Sequence, residues 1–137
     1  MPIVADTTVF RYLVVLEATD ILPALFGDVL IPPAVFNELQ QTSTPVGVRT
    51  WFANLPPWVR IQPLITSPDP SLNYLGDGEQ EAIQLVSEQQ ARLLVTDDRQ
   101  AHHAALARSL PVTRTLRVLE MAAERGLLDF PTIVTRL

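Results

Sequence analysis

The sequence contains no cysteine and no lysine. Without cysteine the chain has no disulfide, no thiolate metal site and no thiol nucleophile, which suits a reducing compartment without requiring one. Without lysine it has no Schiff-base amine, no phosphate-loop lysine and no partner for the phospho-acceptor of a receiver domain. Its strong bases are therefore all arginines, 10 of them against 15 Asp plus Glu, for a net charge of −5. That balance argues against bulk-charge binding of nucleic acid and favours an acidic site or a soluble scaffold. Long apolar runs are missing too: none approaches the roughly 20 residues of a membrane span. Nothing after Met1 reads as a signal peptide, so a cytoplasmic location and no membrane partner are expected. The absence of Gly-x-Ser-x-Gly excludes the hydrolase nucleophile elbow, and the absence of Asp-x-Asp argues against an aspartate phosphatase. At 137 residues the chain has the length of one domain, with enough residues to bury a core unaided.

What is present alternates. Short apolar runs at Ile3-Val4-Ala5, Val29-Leu30-Ile31, Val59-Arg60-Ile61 and Leu93-Leu94-Val95 suit strands covered on both faces, and Pro111-Val112-Thr113 suits an edge strand. Between them the spacing predicts helices over 7–18, 21–26 and from Pro33 to Leu39, and a short one around Trp51, Phe52 and Leu55. Three more are predicted: 77–89 with Asp77 as N-cap, a helix through Ser109 with Asp97 as N-cap, and 115–124 stopped by Gly126. Strand alternating with helix on strands this short predicts an α/β domain with a parallel sheet between two helical layers, four or five strands wide.

In such a sheet ligands sit outside the carboxyl ends of the strands. Acids fall there: Asp6 after the first strand, Asp97-Asp98 after the fourth, and Glu38 in the helix that follows the second. Glu79 and Glu81 lie in the first turns of the helix before the fourth strand, and both lean towards its apolar stripe. Several carboxylates drawn together from different elements are what a hard divalent cation requires. The same residues at helix starts also satisfy free N–H groups and the helix dipole, so caps alone account for some of them. His102 and His103 are neighbours on a helix, about 100° apart, and cannot share an ion. Gly76-Asp77-Gly78 lacks the strand and the spacing of a dinucleotide loop.

These residues resemble a family. Val4-Ala5-Asp6-Thr7-Thr8 is similar to the opening strand motif of PIN-domain nucleases, and the segment Leu30 to Leu39 to their second-strand motif, in which Glu38 takes the place of an active-site acid. Leu75-Gly76-Asp77-Gly78-Glu79-Gln80-Glu81-Ala82-Ile83 resembles the Leu-Gly-x-Gly-Glu-x-Glu-Ala-Ile signature of a PIN-like subfamily. Leu94-Val95-Thr96-Asp97-Asp98-Arg99 resembles the family's strand ending in Asp-Asp-Arg. The resemblance implies a three-layer α/β/α domain spanning the chain and a Mg²⁺- or Mn²⁺-dependent ribonuclease of the toxin type, paired with an antitoxin protein and forming a homodimer. It also implies catalytic and metal roles for Asp6, Glu38, Glu81 and Asp98, with Glu79, Asp97, Thr96 and Thr8 behind them. Thr8 stands in the Asn/Ser place beside the first acid, and Thr8-Val9 replaces the subfamily's Ser-Pro. Arg114 and Arg117 replace its usual glycines. Five of the 10 Arg fall between 92 and 117 with both His, and Arg99 and Arg108 are expected to form a rim for the RNA backbone. A catalytically quiet binding or dimerisation module is the alternative.

Overall fold

In the computed structural model, which describes residues 1–129 and 131, five short parallel strands form one sheet in the order β3-β2-β1-β4-β5. The strands are β1 (Ile3–Ala5), β2 (Val29–Ile31), β3 (Val59–Ile61), β4 (Leu93–Val95) and β5 (Val112–Thr113). Around them lie α1 (Thr7–Val15), α2 (Ile21–Phe26), α3 (Pro33–Glu38), α4 (Val46–Ala53), α5 (Asp77–Gln89), α6 (Arg99–Ala107) and α7 (Thr115–Glu124), plus a 3₁₀ turn at Pro70–Leu72. The single domain expected over 1–137 takes in residues 130 and 132–137, which lie outside the described residues.

Alternation along each strand builds the layers. Ile3, Ala5, Val29, Ile31 and Val95 point into a core with α1, α2, α4 and α7, where Phe10, Trp51 and Phe52 meet edge to face or tilted, with centroids 5.0–5.7 Å apart. Val4, Leu30 and Leu94 point the other way, into a second core with α5 and α6. The apolar triplets of β1 and β2 therefore read correctly as strands buried on both faces, whereas Val59-Arg60-Ile61 does not: as the edge strand β3 it buries Val59 and leaves Arg60 and Ile61 exposed. The edge strands are β3 and β5, and the exposed Arg60 in β3 and Pro111 before β5 keep further strands from adding there.

The helix limits depart from expectation in five places. Helix α1 stops at Val15 rather than 18, because Leu16 caps it and Glu17 turns left-handed at φ 56°. Helix α4 begins at Val46, well before Trp51, on the turn made by Pro45. Helix α6 ends at Ala107, and Ser109 is left-handed at φ 59°. The N-caps of α5 and α6 are Gly76 and Asp98, each one residue away from the expected Asp77 and Asp97.

Candidate active site

Strand β1 is the point where the sheet's order reverses, with β2 on one side and β4 on the other. Its carboxyl end opens on the crevice in which α/β sheets bind ligands. Asp6 sits there, 2 % exposed. One of its oxygens, Oδ1, accepts from the Thr8 backbone N–H (3.2 Å) and the Thr8 hydroxyl (2.7 Å). The other, Oδ2, accepts a short bond from the Thr96 hydroxyl. Both hydroxyls are themselves held by the loop after β4: Thr8 Oγ1 accepts from Asp97 N–H (3.1 Å) and Thr96 Oγ1 from Asp98 N–H (3.2 Å). Thr8, in the first turn of α1, and Thr96, just after β4, each have one hydroxyl able to donate forward and accept behind, so each links Asp6 to the β4–α6 loop. Burial pushes the Asp6 carboxyl up to about 7; the hydroxyls of Thr96 and Thr8 oppose that rise, and the charges of Glu79 and Asp97 add to it.

Glu38, at the end of α3, reaches over the same crevice. Its Oε2 accepts from the Thr7 hydroxyl (2.7 Å) and its Oε1 from the Gly78 N–H (2.9 Å), tying the starts of α1 and α5 together. Glu79 is half-buried, and desolvation raises its carboxyl above the ordinary value, with Glu38, Asp98 and Asp77 adding to the rise. The field thus couples Asp6, Glu38, Glu79, Asp97 and Asp98, contributed by four segments of the chain. Glu81, first choice for the third acid on sequence, turns elsewhere: its Oε1 accepts from the Ala34 N–H at 3.0 Å, in the first turn of α3. Two residues along a helix lie about 200° apart, so Glu79 and Glu81 point different ways, and of the two it is the charge of Glu79 that acts on Asp6.

The glycines of Gly76-Asp77-Gly78 make room for these acids. A Cβ on Gly78 would stand 2.8 Å from Glu38 Oε1, and one on Gly76 would stand 2.6 Å from Glu79 Oε2. Gly76 has an ordinary backbone φ of −64°, so space for the carboxylate is the reason for glycine there. Sequence reading missed this function, and it missed Thr7 as a partner of Glu38; the signal available for both was a small residue flanking a candidate acid.

Asp97 and Asp98 also act as caps. Asp98 Oδ1 accepts from Ala101 N–H (2.8 Å), and Asp97 grips the start of α7 through Thr115 N–H (3.0 Å) and the Thr115 hydroxyl (2.5 Å). With their oxygens engaged in this way, no group of three or more His, Asp or Glu side chains is arranged to hold an ion among the described residues. The donor chemistry nonetheless fits a hard divalent cation. The set is made of carboxylates alone, Asp6 Oδ2 and both Glu38 oxygens keep a lone pair beyond the one bond each accepts, and burial, with the neighbouring acids adding to it, raises Asp6 and Glu79, a cost that a cation relieves.

Of the two rim arginines, Arg99 opens α6 beside Asp98 and is exposed. Arg108 follows the other end of α6, about 13 Å along the helix. There it donates to Ser71 Oγ at 2.5 Å and lies 4.0 Å from Asp69. Arg114, which caps α7, is the nearer second cation: together with burial, its charge lowers the His102 pKa on α6.

Comparison with known proteins agrees with this fold. A PIN-domain family model matches residues 2–137. A solved PilT N-terminus domain protein from the hyperthermophilic archaeon Sulfolobus solfataricus has the same fold, with a TM-score of 0.67 over 89% of this chain and 93% of that one, at 15% identity. No curated protein matches the sequence. The chain belongs to the PIN-domain family, whose fold is of nuclease type and whose members typically use divalent metals.

Proposed function

We propose that this protein is a divalent-metal-dependent ribonuclease, the toxin of a toxin–antitoxin pair. The observation that carries the nuclease reading is the gathering of Asp6, Glu38, Glu79 and Asp98 at the reversal point of the sheet, where burial lifts Asp6 to about 7 and the charges of Glu79 and Asp97 add to the rise. The toxin role, a protein antitoxin and a homodimer rest on the motif resemblance. Those four residues would hold Mg²⁺ or Mn²⁺, which when bound offsets charge on the phosphate and lowers the pKa of water. Thr8 and Thr96 fix both oxygens of Asp6, and Thr7 with the Gly78 N–H fixes Glu38, so the donors need little reordering. Glu79, half-buried beside the other three, would orient the attacking water. Arg99 and Arg114 flank the acids and attract the RNA backbone. Arg108 is committed to Ser71 and Asp69 and serves that role only if it lets them go.

One observation favours the alternative of a catalytically quiet module: the acids also have ordinary structural partners, as caps and hydroxyl acceptors. Cleavage of a structured RNA by the purified protein in Mn²⁺ separates the two. Asp98→Asn and Glu79→Gln are expected to lose cleavage with an unchanged circular-dichroism spectrum. Glu81→Gln is expected to keep it, because an amide oxygen still accepts from Ala34 N–H. Full activity in Asp98→Asn overturns the assignment.

A further inference from the structure

Neither α3 nor α5 is capped by its own N-cap residue: these are Pro32 and Gly76, and neither has a side-chain acceptor. In α3, Pro33 has no N–H, and the N–H groups of Val35 (3.1 Å) and Phe36 (3.2 Å) both turn back to the Pro32 carbonyl, which leaves the N–H of Ala34. Glu81 of α5 takes it, at 3.0 Å. The corresponding second position of α5 is Gly78, and its N–H goes to Glu38 of α3 at 2.9 Å. Each helix thus caps the other. Ala34 and Glu38 are four residues apart and Gly78 and Glu81 three, so each pair shares one face of its helix. The two faces meet with their chains in opposite senses, Ala34 against Glu81 and Glu38 against Gly78.

We infer that Glu81 is a positioning residue: by capping α3 it sets where Glu38 stands over the crevice. Helix α3 has six residues, fewer than two turns, and a helix so short is not stable without tertiary contacts. Its far end is fixed, because the buried Thr44 hydroxyl donates to the Glu38 carbonyl (2.8 Å) and Arg49 Nε to the Thr44 carbonyl (3.1 Å). At its near end the polar tie to α5 is Glu81. Without that tie α3 can swing about its Thr44 end, and the Glu38 carboxylate is carried off Thr7 and Gly78. The cap asks two things of Glu81, enough length to reach Ala34 and an oxygen to accept with. A ligand to a hard divalent ion is asked first for its charge. The bearing of Glu81 on metal binding rests on the nuclease reading above; the mutual capping of the two helices does not.

Two variants rank oppositely under these two roles. Glu81→Gln keeps the length and an acceptor oxygen, whereas Glu81→Asp keeps the charge and is one methylene too short to reach Ala34. The readouts are amide hydrogen exchange of Ala34 and Gly78, followed by NMR in EDTA, and Mn²⁺ affinity by calorimetry, with RNA cleavage measured beside them. Glu81→Gln is expected to keep both amides protected and Mn²⁺ affinity within a few-fold of the wild type. Glu81→Asp should speed exchange at Ala34 and, through the loosened helix, at Gly78 as well, and should weaken Mn²⁺ binding by roughly 10- to 100-fold. Glu38→Gln combined with Glu81→Asp should bind Mn²⁺ no worse than Glu38→Gln alone, since the second change acts only through Glu38. Loss of Mn²⁺ binding in Glu81→Gln, or tighter binding by Glu81→Asp than by Glu81→Gln, makes Glu81 a ligand and overturns the inference. Opening of Ala34 in Glu81→Asp with Gly78 and Mn²⁺ affinity unchanged also overturns it, because the bond would then serve α3 alone. If the wild type neither binds Mn²⁺ nor cleaves RNA while Glu81→Asp still opens both amides, the nuclease reading falls and the placing of Glu38 by Glu81 stands.

Discussion

Asp6 carries the highest cost among the site residues, because its charge is buried and other acids surround it. Its carboxyl binds its proton more tightly folded, near 7, than unfolded, near 3.8. A raised folded value in an acid means that stability is greatest below the unfolded value and is lost as pH rises between the two. Without metal, the wild type is therefore expected to lose stability from pH 4 towards pH 7 by on the order of a few kcal/mol on this account. Asp6→Asn should lack that part of the slope. The amide also mismatches the hydroxyl of Thr8 or Thr96, but that penalty is constant with pH, so the pH dependence of the difference is the readout. Chemical denaturation of both proteins in EDTA across that range checks it; parallel curves would refute a raised Asp6. At this scale the sequence was partly legible. Asp6, Glu38 and Asp98 stood out because strand ends and helix starts are readable one residue at a time. The choice between Glu79 and Glu81 was not, because it depends on which turn of α5 faces α3. That is a rotation fixed by packing, and both residues lean on apolar neighbours in the sequence.

Helix α5 shows how one element serves two masters. Its first turn holds the crevice acids, and further along Glu88 clamps the loop ahead of it. Desolvation works against ionising Glu88, yet the N–H groups of Ile65 and Thr66, the Gln84 amide and the Thr66 hydroxyl together draw its carboxyl down to about 2. Glycine in a helix ordinarily costs up to about 1 kcal/mol relative to alanine. Gly78→Ala should therefore leave the melting temperature within a few degrees of the wild type, as helix propensity offsets the lost Glu38 bond. The new methyl would displace the Glu38 carboxylate, and a donor misplaced by about an ångström lowers the cleavage rate on the order of 10²-fold. Gly76→Ala should act likewise through Glu79. Paired melts and cleavage assays test this: a variant both stable and fully active would show that the carboxylates have slack. The elements themselves were readable from the sequence, since apolar triplets, Pro33 and Gly126 mark most boundaries. The misplaced limits lie where non-glycine residues, Glu17 and Ser109, adopt left-handed turns that composition does not announce. The α6 cap was off by one because Asp97 and Asp98 are equivalent on paper, and only the position of Thr115 decides which reaches α7.

For the molecule as a whole, a net charge of −5 and a crevice of acids mean that, on the proposed reading, a cation would have to bind before RNA could. A divalent ion that binds the folded site alone adds about 2.7 kcal/mol at a hundredfold excess over its dissociation constant. For a chain of this size that raises the melting temperature by on the order of 10 °C. Thermal melts in EDTA and in Mn²⁺ measure it, and Asp6→Asn should shrink the shift. A wild-type shift below about 1 °C at millimolar Mn²⁺ would count against a metal site formed without RNA. The strand order has one more consequence. Strand β1 lies in the middle of the sheet, yet its partner β4 begins at Leu93, so Asp6 gains Thr96 and the Asp97-Asp98 loop only when distant segments dock. During synthesis, which runs from the amino terminus at roughly 5–20 residues per second, a ribosome carrying an unfinished copy holds Asp6, Glu38 and Glu79 but has yet to make Asp98. The last acid arrives late, so if the proposed nuclease reading holds, a half-made copy would lack the complete set and could not attack the message or the machinery producing it.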